Sequence, residues 1–151
     1  VGAVEQTIAD TIVEIDAKST DDSGVPVEYV PAEDITVTAD TVNTVSIPDS
    51  VWTEATSITL DKGTYVVVGY CQFAPSAIGV RKIVISTTSA GTTQFTRGAF
   101  ASGNAISGAS SYESCAVLAT LNASTTLYLN GYQDSGSSLT VYPKLTAMRI
   151  K

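Results

Sequence analysis

The 151 residues predict an all-β jelly-roll sandwich of about eight to ten antiparallel strands, and three observations carry that expectation. Apolar and β-branched residues recur in runs of about five to ten positions, the length of ordinary strands. Clusters of Gly, Pro, Asn, Asp and Ser separate the runs, as turns require. Hydrophobic residues make up 44% and charged residues only 15%, a composition that folds rather than stays disordered. The length suits a single domain with a sizeable core.

Residues 1–18 differ from all that follow. Val1, Val4, Ile8 and Ile15 fall at heptad-like spacing, with Thr11 in the missing position and Ile12 beside it. The spacing predicts a short helix, too short to be stable without partners. The competing reading is extended chain over 11–16, where Ile12, Val13 and Ile15 favour a strand. Residues 19–33 form a linker, with a turn cluster at Asp21, Asp22, Ser23 and Gly24 and extended backbone imposed by Pro26 and Pro31.

The head domain then runs over 34–151. Ile35, Val37 and Ala39 alternate with Thr36, Thr38 and Asp40, predicting a half-buried strand over 35–42. A short strand at 45–47 stops at Pro48. Residues 57–60 lead through the turn Asp61-Lys62-Gly63 into a strand over 64–73. A loop at 74–79 precedes a strand over 80–87, with Ile83 and Ile85 inward and Lys82 and Ser86 outward. The Ser/Gly/Ala-rich stretch 89–111 predicts one short strand near 94–100 and an exposed loop at 102–110. Strands at 111–121 and 125–133 flank the turn Asn122-Ala123-Ser124, and Asp134-Ser135-Gly136 turns into the last strand, 139–151.

The strands are of two kinds. Those at 80–87 and 125–133 are amphipathic, as a sheet facing water on one side should be. Those at 64–73, 111–121 and 139–151 are apolar on both faces. In the first of these, Tyr65, Val67, Gly69, Cys71 and Phe73 share one face, while Val66, Val68 and Tyr70 share the other. One face covers the domain's own core. The other needs a cover, and another copy of the chain is the simplest one.

The net charge of −7 is unevenly spread: residues 1–61 carry −12 and residues 62–151 carry +5. With an acidic total and scattered bases, nucleic acid is not an expected partner. No run of 18 apolar residues predicts a membrane-spanning helix. There is no histidine, which excludes Ser-His-Asp and Cys-His nucleophile pairs. Acids in the strand-rich half are only Glu113 and Asp134, too few for a cleft of paired carboxylates. No catalytic residue, metal ligand or cofactor is therefore expected. The acids from Asp16 to Asp34 match no calcium-loop spacing and read as a solvated linker. Cys71 and Cys115 sit inside apolar strands, as buried thiols or, if their strands are neighbours, a disulfide. The sequon Asn122-Ala123-Ser124 reads as a tight turn. Trp52, Tyr128, Tyr132 and Tyr142 read as aromatic packing or a cross-strand ladder, with a sugar-stacking platform as the alternative.

The order of segments resembles the trimeric jelly roll shared by tumour necrosis factor and the complement globular head, and more narrowly the fibre-head domains of bacteriophage virions. The resemblance lies in Leu60-Asp61-Lys62-Gly63-Thr64-Tyr65-Val66-Val67, in Ala77-Ile78-Gly79-Val80-Arg81-Lys82-Ile83-Val84-Ile85, in the hairpin over 121–140, and in Leu145-Thr146-Ala147-Met148-Arg149-Ile150. It covers roughly 35–151. It implies a homotrimer whose two-sided sheet faces a three-fold axis, with Val66, Val68, Tyr70, Tyr112, Ala116, Leu118, Leu145 and Ala147 at the interface. Val1, Val4, Ile8, Ile12 and Ile15 then belong to a stalk or anchor that meets other virion proteins. The implied role is a capsid or tail fibre head on the virion exterior, displaying loops to a host glycan or protein or decorating the capsid. No recognition residue carries over, because such loops vary freely. The alternatives are a secreted complement-head-like recognition trimer and a carbohydrate-binding module. Each leaves its own mark: a stem and glycans for the first, a monomer with one aromatic face for the second.

Overall fold

A computed structural model describes residues 37–41, 44–96 and 98–150. The predicted stalk and linker, with Val1, Val4, Ile8, Ile12 and Ile15, lie outside the described residues. The described chain forms nine strands: β1 (Val37–Thr41), β2 (Val45–Ile47), β3 (Thr53–Leu60), β4 (Gly63–Phe73), β5 (Val80–Ser86), β6 (Phe100–Asn104), β7 (Ser111–Leu121), β8 (Thr125–Gln133) and β9 (Leu139–Arg149). One sheet has the order β1-β9-β4-β7, with β2 also on β9, and the other has β3-β8-β5-β6. Every pairing is antiparallel.

The pairs nest inside one another: β5 with β6, β4 with β7, β3 with β8, and β2 with β9. The chain therefore behaves as one long hairpin, folded at the β5–β6 connection and rolled so that its arms alternate between two sheets. That is the jelly roll the strand spacing predicts. β1 and β2 both pair with β9, Thr41 opposite Lys144 and Val45 opposite Val141.

Strict alternation fills the space between the sheets. β7 buries Ser111, Glu113, Cys115, Val117, Ala119 and Leu121 and leaves the residues between them exposed. β4 turns Tyr65, Val67, Cys71 and Phe73 inward to meet Ile83, Ile85, Leu127 and Leu129 from the opposite sheet. Each such side chain contributes about 1.5–3 kcal/mol by leaving water. Gly69 makes room for this packing, since a methyl group there would stand 2.8 Å from Leu129 Cδ1. In β3 the register slips between Glu54 and Thr56, a bulge that buries Ala55 and Thr56 together.

Two expectations need correction. The short strand of the Ser/Gly/Ala-rich stretch is β6 at Phe100–Asn104, not 94–100, and it occupies part of the predicted loop. Its small residues suit an edge where Glu113 approaches: a side chain at Gly103 would collide with the Glu113 carboxylate. Ser86, expected to face solvent, is buried, as is Val84. The segment after β5 folds back over that end of the sheet and is fastened there by Asn130. The Asn130 amide donates to the carbonyls of Thr88 and Gly91 (both 2.9 Å) and accepts from Ala90 N–H at 3.0 Å. The amphipathic reading of β5 holds only at its other end.

Glu113 gives this seam a pH dependence. Desolvation raises its carboxyl pKa in the folded state. Ionisation therefore disfavours folding at neutral pH, and the penalty fades as pH falls through the raised folded value toward the unfolded one, about 4.3. Glu113→Gln should accordingly raise the melting temperature at pH 7, and its advantage over the wild type should shrink as pH drops toward 4.5. Equal melting temperatures at pH 7, or an advantage independent of pH, would contradict this assignment.

Candidate assembly interface

The outer face of the first sheet is built by the outward positions of three adjacent strands. Inward alternation of Tyr65, Val67, Cys71 and Phe73 forces Val66, Val68 and Tyr70 outward on β4. The same alternation exposes Tyr112, Ala116 and Leu118 on β7 and Tyr142, Thr146 and Met148 on β9. Register then sets the neighbours. Val66 lies between Leu118 and Met148, Val68 between Ala116 and Thr146, and Gln72 between Tyr112 and Tyr142. Tyr70 and Tyr112 stack with ring centroids 6.2 Å apart.

Val68 is 41% exposed, Tyr112 58% and Leu118 61%, values that large side chains on a water-facing sheet rarely combine. Along the outward positions of β4, β7 and β9 the only charged side chain is Lys144. Partial burial raises the Tyr70 phenol pKa, with the Tyr112 phenol beside it acting in the same direction. The middle of the face, around Val66, Val68, Ala116 and Leu118, is apolar, its margins are Ser, Thr and Gln, and it is nearly uncharged, the character of an interface core.

Of the eight side chains expected at an interface, Val66, Val68, Tyr70, Tyr112, Ala116 and Leu118 are gathered on this one face. Leu145 and Ala147 are a correction. They are 0% and 1% exposed and point into the domain's own core, because the odd-numbered residues of β9 from Leu139 to Ala147 face inward. The outward positions they were expected to hold belong to Lys144, Thr146 and Met148. Tyr142 and Met148 were missed, although their spacing from Thr146 already placed them together.

The second sheet presents a different surface. Trp52 and Tyr132 pack at 5.4 Å with an interplanar angle of 39°, and Lys82 Nζ lies 4.9 Å from the Tyr132 ring centroid. This is aromatic packing with a cation–π contact, and Tyr142 belongs to the other sheet.

Arg81, on the same parity as Ile83 and Ile85, is fully buried, which their alternation already implied. Its guanidinium donates to the carbonyls of Val80 (3.1 Å) and Ile78 (3.2 Å) and lies 5.9 Å from the Phe73 ring centroid. Burial pulls its pKa down, and the Asp134 carboxylate opposes that shift.

Both thiols are free and buried. Burial pushes the Cys115 pKa up to about 11 and raises Cys71 further, with Cys115 and Glu113 adding to the effect. Neither is a thiolate at neutral pH, so neither suits nucleophilic chemistry. Among the described residues no cluster of acids and cysteines is placed to hold a metal ion. No helix of the described residues is long and apolar enough to cross a membrane.

No protein-family model and no curated protein matches the chain. Solved structures do. A crystal structure of an infectious bursal disease virus particle aligns with a TM-score of 0.59 at 13% identity, over 83% of this chain and 36% of that one. The structure of the Gx strain of that virus aligns at 0.54 and 14% identity, over 82% and 37%. The VP2 subviral particle of the same virus aligns at 0.51 and 11% identity, over 83% and 38%. The chain spans a little over a third of the length of these viral chains. At such identities the likeness establishes the fold they share: two antiparallel sheets in jelly-roll order.

Proposed function

We propose that this chain is a non-catalytic structural module of a virion, the trimeric head of a capsid or tail fibre of a bacteriophage. Three copies pack their β1-β9-β4-β7 faces around a common axis, and the loops at the free end face outward for host attachment or capsid decoration. The observation that carries this reading is the apolar outer face around Val68 and Leu118. A face of this kind, with Lys144 as the sole charge among its outward positions and Arg149 exposed only at its end, matches the same face of another copy without any need for charge complementarity. Closed rotational symmetry buries all copies of the face at once and leaves none open for further growth. The jelly-roll order shared with viral capsid chains supports a virion setting, and the sequence resemblance to fibre heads supports the trimer.

Light scattering on the purified chain tests the assembly. The expected mass is about 47 kDa, three times the 15.7 kDa of one chain. A mass of a single chain across micromolar concentrations would overturn it.

A further inference from the structure

We infer that the end of the first sheet carries a binding cleft for an acidic monosaccharide, a single sugar ring bearing a carboxylate. The cleft, about 310 Å³, lies where the β3–β4 turn, the β7–β8 turn and the last residues of β9 converge, and Lys62, Gly63, Thr64, Thr120, Leu121, Asn122 and Arg149 line it. Its volume is at the low end of small-molecule sites, roughly 300–1,000 Å³, which fits one ring rather than an extended chain.

Two cations stand at this cleft. The Arg149 guanidinium donates to the Lys62 carbonyl at 3.4 Å, and Ile150 N–H donates to the Thr64 carbonyl at 2.8 Å, tying the end of β9 to β4. Arg149 is thereby held at the mouth with most of its donors unspent. Among the described residues neither Lys62 nor Arg149 has an acidic partner, and Asp61 does not line the cleft. Two like charges beside one cleft repel each other, and an anion between them relieves that repulsion. Arg offers a planar pair of donors that matches a carboxylate, and Lys adds a point charge.

Most of the remaining wall is carbon, which suits the apolar face of a ring, and the few polar groups on it suit sugar hydroxyls. Thr64 Oγ1 and Thr120 Oγ1 lie 3.4 Å apart on neighbouring strands, so each keeps hydrogen-bonding capacity for a ligand. The Asn122 amide adds a donor and an acceptor from the exposed turn. An inorganic anion would accept from these groups but has few hydroxyls to donate back to them, whereas a sugar ring carries several hydroxyls that both donate and accept. Thr64 and Thr120 hold outward positions at the very end of the sheet, so the inference rests on copies packing through its middle, around Val68, and leaving this end open.

Amide spectra of the isotopically labelled full chain test it with three probes: glucuronate, glucose and inorganic phosphate. Glucuronate is expected to shift the amides around Lys62, Thr64, Asn122 and Arg149 saturably, and the shifts should weaken with added salt. Glucose should leave them unmoved, and phosphate should bind at least about tenfold more weakly than glucuronate. The double variant Lys62→Gln/Arg149→Gln should weaken glucuronate at least about tenfold while amides far from the cleft keep their positions. Absence of saturable shifts at these residues, equal response to glucose, phosphate binding as tight as glucuronate, or full binding by the double variant would each overturn the assignment.

Discussion

Val68→Glu is expected to turn an assembly of about 47 kDa into single 15.7 kDa chains that remain folded. Val68 sits mid-strand on β4, 41% exposed, between Ala116 and Thr146, with its side chain directed away from the core. In a single chain the glutamate would meet water and disturb nothing inside. Against neighbouring copies it would place a carboxylate in an apolar contact three times over, each unpaired buried charge costing about 3–5 kcal/mol. Each such cost offsets the gain from one or two apolar side chains at about 1.5–3 kcal/mol each, and it falls on an assembly whose net stability is only what remains after the cost of association. Circular dichroism should keep its β signature while light scattering reports the monomer. Thr59→Glu, on the exposed face of the other sheet, should leave the mass unchanged. A Val68→Glu chain that keeps the assembled mass would remove this face from the interface.

That face was largely legible in the residues because period-two alternation survives wherever both sets of side chains are distinctive. On β4 and β7 the inward and outward sets are both apolar yet separable, and their parity fixed Val66, Val68, Tyr112 and Leu118 together. On β9 parity alone was ambiguous. Leu145 and Ala147 look more apolar than Thr146 and Met148, yet the former pair closes the core and the latter pair faces out. Only the register with β4, where Val66 meets Met148 and Val68 meets Thr146, settles the phase, and register is a property of two strands. The burial of Ser86 was illegible for a similar reason: a segment distant in sequence from its partner Asn130 folds over it. Arg81 was legible in parity with Ile83 and Ile85, but a charged residue in that position is read as exposed unless its partners are known.

Gly79→Ala is expected to destabilise the fold far more than Gly136→Ala, although both glycines have positive φ, +95° and +83°. An alanine at either site carries a backbone penalty of about 1–2 kcal/mol. At Gly136 nothing lies within 4 Å of the added carbon, so the penalty should end there. At Gly79 the same carbon would stand 2.5 Å from the Asp134 carbonyl oxygen, a collision with backbone that no side-chain rotation relieves. Relief requires the 74–79 loop to move. Val80 N–H donates to the Asp134 carboxylate and Ile78 carbonyl accepts from Arg81, so movement would loosen the support of a fully buried cation. Overpacking adds about 1–3 kcal/mol, for a sum near 2–5 kcal/mol. At equal protein concentration, Gly79→Ala should melt about 6–20 °C below the parent, and Gly136→Ala only a few degrees below. Equal losses from the two substitutions would mean that the Asp134 backbone yields freely, and that the seat of Arg81 is not held by this turn.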